Sequence, residues 1–337
     1  MHRRAIASVG VLVFALSGCA NEAELPKATA AAETARPALT VTRFEQVQSD
    51  IFDSLAAADE KLDGEALTER VSGPFASMRS AEYKLKSILA DSVSLERLSD
   101  SADQTMISAA DDYPHAAVSV MAEPAGSSAK TIDMFVQPSA RENWSLWGVA
   151  DILPGATVPA LKFGEEGGAV LASDSAEGLV ASPDDVLAGY TTLASTRNDS
   201  KGLRFADDPW LAKMAEAQDA NAETTADTGT ATMSFEPGEN GTIAVRTAEG
   251  GALVFGQVNV TTTISVTAEG GSVDIAGGGN IAALGTGNAN DSLTVTGTMT
   301  AHYTTVLVFN VPAADAEDQT IDVVAAHAAV LLDVSNG

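Results

Sequence analysis

Between Leu293 and Val311 the sequence alternates with a period of two. Leu293, Val295, Met299, Tyr303, Leu307 and Phe309 share one parity, while Thr294, Thr296, Thr298, Thr300, His302 and Thr304 share the other. This is the pattern of a β-strand with one face to be covered and one to meet water. At ~3.3 Å per residue the run would span ~60 Å, too far for a flat strand, so a bend at Gly297 or nearby is expected. Ala252, Val254, Val258, Val260, Ile264 and Val266 alternate in the same way with polar residues, and so do Ala231, Met233 and Phe235. Long strands covered on one side only are antiparallel and need another layer on their apolar face.

Helical segments supply that layer. Thr42-Arg43-Phe44-Glu45 fits a capping box, and Phe44, Val47, Ile51 and Leu55 follow at helical spacing. Asp63-Gly64 ends this helix, Glu65–Val71 reads as a second, short one, and Met78–Leu89 fits helix or strand. Strand-like pieces follow at Ala116–Met121, Thr131–Val136 and Trp144–Leu153. The order then restarts. Ser182-Pro183-Asp184-Asp185 sets an N-cap, a first-turn proline and an N3 acid in sequence, with Val186, Leu187, Tyr190 and Leu193 as the apolar face. Asp208-Pro209-Trp210 opens another helix towards Ala217, and strands run on from Thr228. Helices followed by antiparallel strands, twice over, predict an α+β chain of two units, 39–165 and 180–337, joined by the Gly164–Ser182 linker.

The amino terminus carries an address. His2-Arg3-Arg4 precedes the apolar stretch Ala5–Leu16, and Leu16-Ser17-Gly18-Cys19 matches a bacterial lipobox. The stretch is too short to span a bilayer, which takes ~20 residues, and suits the core of an export signal. Residues 1–18 are thus expected to be cut away, leaving Cys19 for lipid attachment; small Ser17 and Gly18 admit the peptidase. Two acyl chains hold a protein stably on a membrane. Residues 19–38, rich in Ala, Glu, Thr and Pro, read as a flexible stalk. The expected place is the cell membrane, on its extracytoplasmic side.

Charge narrows the partners. Asp and Glu number 46 against 19 Lys and Arg, and loss of Arg3 and Arg4 takes the formal charge from −27 to −29. Such a surface repels nucleic acid and anionic headgroups, and no basic cluster overrides it locally. Nucleic acid is therefore set aside, leaving the membrane, reached through the anchor, and an envelope protein as expected partners.

The chain resembles a family of actinobacterial lipoproteins of unknown function. The resemblance lies in the lipobox at Cys19, the Phe44–Asp63 helix leading into Leu67–Pro74, Arg79-Ser80-Ala81-Glu82-Tyr83, the Trp144–Leu161 stretch with Leu153-Pro154-Gly155 and Pro159, and the Ser182–Leu193 start of the second half. It implies two tandem NTF2-like (cystatin-like) units, with helices packed on curved antiparallel sheets. It carries over no catalytic residue, and the fold alone does not settle function.

No motif supplies chemistry either. Ser127-Ser128-Ala129-Lys130 matches S-x-x-K, but in a loop and without its companion elements. Asp59, Asp63 and Gly64 resemble the start of a calcium loop, yet Lys61 and Arg70 would occupy ligand positions. Gly277-Gly278-Gly279 and Gly285-Thr286-Gly287, with Asn280, Asn288, Asn290 and Asp291, read as a mobile hairpin loop rather than a phosphate cradle. His115, His302 and His327 lack metal-ligand spacing, so neither a metal nor a cofactor is expected; His302 is expected at the surface and His327 in an apolar strand, Val323–Leu332. Trp144 and Trp147 read as core. The expected function is a non-enzymatic binding module of the cell envelope. The alternative is a carrier holding a small apolar or cell-wall-derived ligand between helices and curved sheet. An enzyme would need a His or acid with a displaced pKa deep inside a unit.

Overall fold

Helix α1 (Val41–Lys61) starts two residues before the expected capping box: extended Thr40 accepts a hydrogen bond from the Arg43 N–H at 3.3 Å. The reason lies upstream, where Ala38 N–H bonds to the Ser108 carbonyl and keeps the chain extended up to the cap. Phe44, Gln48, Ile51, Leu55 and Ala58 form its buried stripe. Leu62 enters the left-handed region (φ 53°) and ends the helix. The short helix expected over Glu65–Val71 is a single 3-10 turn, Gly64–Leu67, because Val71 is drawn into a β-bridge with Leu146. Met78–Leu89 is helical, within α2 (Gly73–Leu89).

In this computed structural model the described residues are 36–337, apart from 68, 111, 125–128 and 163–166. After α2 come β1 (Ala102–Ile107), which the sequence did not suggest, then β2 (His115–Met121), β3 (Thr131–Gln137) and β4 (Ser145–Ile152), an antiparallel meander. The later part runs β5 (Val170–Leu171), α3 (Pro183–Thr196), α4 (Pro209–Thr225), β6 (Gly229–Arg246), β7 (Ala252–Val266), β8 (Val273–Ile275), α5 (Asn280–Thr286), β9 (Leu293–Val295), β10 (Thr298–Val311), β11 (Asp322–Ala326) and β12 (Val330–Asn336). Both later helix starts follow the sequence. Ser182 Oγ accepts from the Asp185 N–H at 3.1 Å, Asp208 Oδ1 accepts from the Leu211 N–H at 2.8 Å, and each cap is followed by a proline.

Two expectations fail in the same region. The alternating run is not one bent strand: it breaks at Gly297, and β9 leaves the main sheet to pair with β8. The Gly-rich segment is not simply a loop but contains α5, closed by Gly287 at φ 73°. Ala282 packs with Leu293, Val295, Met299 and Leu331 in a small core of its own, which explains both departures.

The main sheet is α+β in setting and large: ten strands, ordered β1-β2-β3-β4-β11-β10-β7-β6-β5, with β12 paired to β10. The first meander joins the later strands where Ala325 and Ala326 pair with Ile152 and Asp151. At the far side the two edges are bridged by the segment that leads into β5. Gly168 exchanges hydrogen bonds with Ile107 and Ala109 beyond β1, and the next residue, Ala169, accepts from Arg246 N–H of β6 at 2.8 Å. The sheet therefore curls into a barrel-like wall, and the described residues cohere as one unit. Its inner core holds Val118, Met134 and Trp147 of the first meander with Phe255, Val306 and Val308 of the later strands. Alternate residues face outward. Phe135, Leu146 and Val149 meet α1 and α2, while Val254, Leu307 and Phe309 meet α3.

Candidate functional site

Charged side chains are buried together where α2 packs across β4, β10 and β12, near the junction of β4 and β11; Asp208, at the start of α4, is buried apart from them. Arg79, 2% exposed, sends Nε and Nη2 to the two carboxylate oxygens of Asp59 on α1 (2.8 and 2.6 Å). Its Nη1 bonds to Glu82 Oε2 at 3.0 Å, and Nη2 also reaches the Glu96 carbonyl at 2.9 Å. The Tyr83 hydroxyl donates to Asp59 Oδ1 at 2.6 Å. Burial alone would lower the Arg79 pKa, but the Asp59 and Glu82 carboxylates outweigh it and hold the guanidinium charged. Asp59 is thus the receptor of α2, and Asp63 turns back to accept from the Glu65 N–H at 3.1 Å.

His327 completes the cluster. It lies not in a strand but in the connection between β11 and β12, where it is buried, because the backbone leaves the ladder after Ala326. Nδ1 stands 2.6 Å from the Ala328 carbonyl and Nε2 3.3 Å from Glu96 Oε2. Burial works against the charged ring, yet acceptors at both nitrogens raise its pKa above 6.5. The same bond holds the Glu96 carboxyl below its ordinary range.

Asp133 stands beside them on β3 with no exposed surface, and neither carboxylate oxygen has a hydrogen-bond partner. Burial pushes its pKa up to about 8. The charges of Glu96 and Asp151 add to that rise; neighbouring Thr131 and His327 oppose it, although the Thr131 hydroxyl makes no hydrogen bond with the carboxyl. At neutral pH Asp133 therefore carries its proton. Asp151, at the end of β4, is also raised by burial.

Two openings border this junction. A cavity of 610 Å³ is walled by Lys130, Asp151, Leu153, Trp210, Lys213 and His327. A broader cleft of 1090 Å³ runs past Pro154–Pro159 to Asp207, Asp208, Glu249 and Asp322, with no Lys or Arg in its lining. Of the displaced groups, His327 and Asp133 do not serve these openings as acid or base, whereas Asp151 lines the smaller opening and Asp208, its pKa also raised by burial, the broader one. Both His327 nitrogens are engaged, and the Asp133 oxygens are sealed from any bound molecule. What the cluster does is tie α1, α2, the Glu96 segment and the β11–β12 connection to one spot. Removing a partner from such a buried set costs ~3–5 kcal/mol.

The other sequence candidates lie apart. Leu16, Ser17, Gly18 and Cys19 fall outside the described residues, as do Ser127 and Ser128; Lys130 pairs with Asp103 at 2.6 Å. His302 is half-buried beside Thr261 Oγ1 at 3.2 Å, and buried His115 packs at a tilt against Tyr113. Trp144 packs edge-on against Phe44 at 5.3 Å, and Trp147 sits in the inner core. Among the described residues no three His, Cys, Asp or Glu side chains could hold a metal ion, and no helix is long and apolar enough to cross a membrane. Sequence reasoning missed Arg79, Glu96 and Asp133. A readable sign existed for two of them: a charge inside an apolar run, at Met78-Arg79 and at Ile132-Asp133-Met134.

Neither the curated proteins nor the solved structures contain a match to the chain. A family model does match, across residues 29–314, and the chain belongs to that family, described as a domain of unknown function (DUF8094).

Proposed function

We propose that the chain is a lipoprotein, anchored to the cell membrane through Cys19 on the extracytoplasmic side, and that it is a non-enzymatic binding module of the cell envelope. The anchor is supported by the ordered signal, lipobox and sole cysteine. The binding role is carried by one observation: at the junction both His327 nitrogens are engaged and the Asp133 carboxyl is sealed from any visitor, while the concave surfaces beside them stay open. Beneath α1 and α2 the space is filled by Phe44, Phe75, Phe135 and Trp144, so recognition falls to the outside of that half. We read the two halves as tandem NTF2-like units fused along β4 and β11. The support is the repeated order, α1–α2 ahead of β1–β4 and α3–α4 ahead of β6, β7 and β10.

Metabolic labelling with a fatty-acid analogue tests the anchor. Wild type is expected to be labelled and to fractionate with membranes, and Cys19→Ala to be neither; equal labelling of the two refutes it. A photo-crosslinking residue at Gly155, in the broad cleft, tests the binding role in intact cells. A discrete adduct with an envelope protein is expected, and recovery of uncrosslinked protein alone counts against it.

A further inference from the structure

Helix α4 is the least buried of the four long helices: of its 17 residues only Trp210 and Thr225 are fully covered. Beneath it lies a cavity of 300 Å³, between Met214 and Ala217 on the helix and Met233, Val260 and Tyr303 on β6, β7 and β10. That volume is at the lower end of the range for small-molecule sites, and the lining has their usual make-up, an apolar wall with a few polar groups. The Tyr303 hydroxyl has no hydrogen-bond partner among the described residues, and burial alone pushes its pKa up. Trp210, 6% exposed with an indole N–H that finds no acceptor, forms the wall shared with the 610 Å³ cavity.

Charge selects the occupant. Lys213 is the one charged side chain in the lining of the smaller cavity, and it makes no ion pair among the described residues. In a chain with 46 acids and 19 bases, an unpaired cation above a cavity without an acid is a local reversal of sign. On the side of the larger cavity Glu123 and Asp151 stand against a second negative group. We infer that the groove beneath α4 binds a small amphipathic organic monoanion, its apolar body between Met214, Met233 and Val260 and its carboxylate at Lys213. The site depends on neither the lipid anchor nor the partner-binding cleft.

The full chain carrying Cys19→Ala, which has no acyl group of its own to compete, is titrated with decanoate, decyltrimethylammonium and 1-decanol. Calorimetry and tryptophan fluorescence follow the binding. Decanoate is expected to bind saturably, one to one, and at least about tenfold more tightly than the cation. Lys213 is exposed, so Lys213→Glu leaves the fold intact; it is expected to weaken decanoate about tenfold and 1-decanol less than about twofold. Ala217→Trp, growing into the groove, is expected to abolish binding of both. The inference is overturned by non-saturable decanoate binding, by equal affinity for the cation, or by a Lys213→Glu variant that binds decanoate as wild type does.

Discussion

Replacing Asp133 by Asn tests whether a carboxyl without a partner is carried into the folded state together with its proton. The group is fully buried on β3, and its pKa moves from 3.8 to about 8. In the unfolded chain it titrates at the ordinary value, so between the two pKa values the folded chain holds a proton that the unfolded chain has released. Stability must then fall as pH rises, by about 1.4 kcal/mol per pH unit while the difference is one full proton. The contribution is fully present below 3.8 and is lost by the time pH has passed about 8. His327, held above 6.5, acts with the same sign, but only from about its unfolded pKa upward; Glu96, held below 4.5, acts with the opposite sign and only towards acid. Asp151 and Glu82, also raised by burial, add slope of the same sign that the substitution leaves in place. The difference between wild type and Asp133→Asn therefore isolates one group. Urea denaturation at intervals from pH 5 to 7.5 should show wild type losing ~3 kcal/mol relative to the variant over the first two pH units. Parallel stability curves would refute the reasoning, since they would mean the carboxyl is ionised in the fold or reached by water.

Arg79→Met removes the bonds to Asp59, Glu82 and the Glu96 carbonyl while keeping an unbranched apolar stem. Because Asp59 and Glu82 retain some exposure (25% and 19%), a loss at the lower end of the buried-pair range is expected, ~3 kcal/mol, or about 5 °C by calorimetry. Gly73 sits at φ 58° with an added Cβ placed 2.5 Å from the Trp147 indole, so Gly73→Ala should cost ~2 kcal/mol or more in chemical denaturation, with a changed tryptophan spectrum. Asp208 both caps α4 and accepts from the Tyr190 hydroxyl at 2.8 Å; Asp208→Ala should cost ~2 kcal/mol and raise amide exchange in the first turn of α4.

These sites differ in how far the sequence reveals them, and the difference follows the distance over which the deciding contact acts. Ser182 and Asp208 announce their helices because cap, proline and first turn lie within four residues. Thr42 misleads because Thr40 offers the same hydroxyl, and the choice rests on Ala38 pairing with Ser108, far along the chain. Met78–Leu89 fits two periods for a physical reason: α2 is buried on more than one side, with Phe75 and Tyr83 against α1, Met78 and Ala81 against the inner core, and Leu85 and Leu89 against α5. A helix without a single wet face loses the stripe that periodicity detects. The closure through Gly168 and the meeting of Glu96 with His327 leave no local mark, since each joins segments that nothing in sequence order brings together.

One consequence links the two kinds of site. The charged cluster occupies the place where the first meander meets the later strands, and that junction is narrow in backbone terms, resting on Ala325 and Ala326 against Ile152 and Asp151. Side chains must supply what two residue pairs do not. Glu96 belongs to the first half and His327 to the second, so their contact spans the join, while Arg79 holds Glu96 from within the first half and the sealed Asp133 proton lies nearby. A protonation change at His327 or Glu96 acts on the contact that spans the halves. Of the two openings, the one of 610 Å³ has His327 in its wall, so a change of charge on that ring is met there directly.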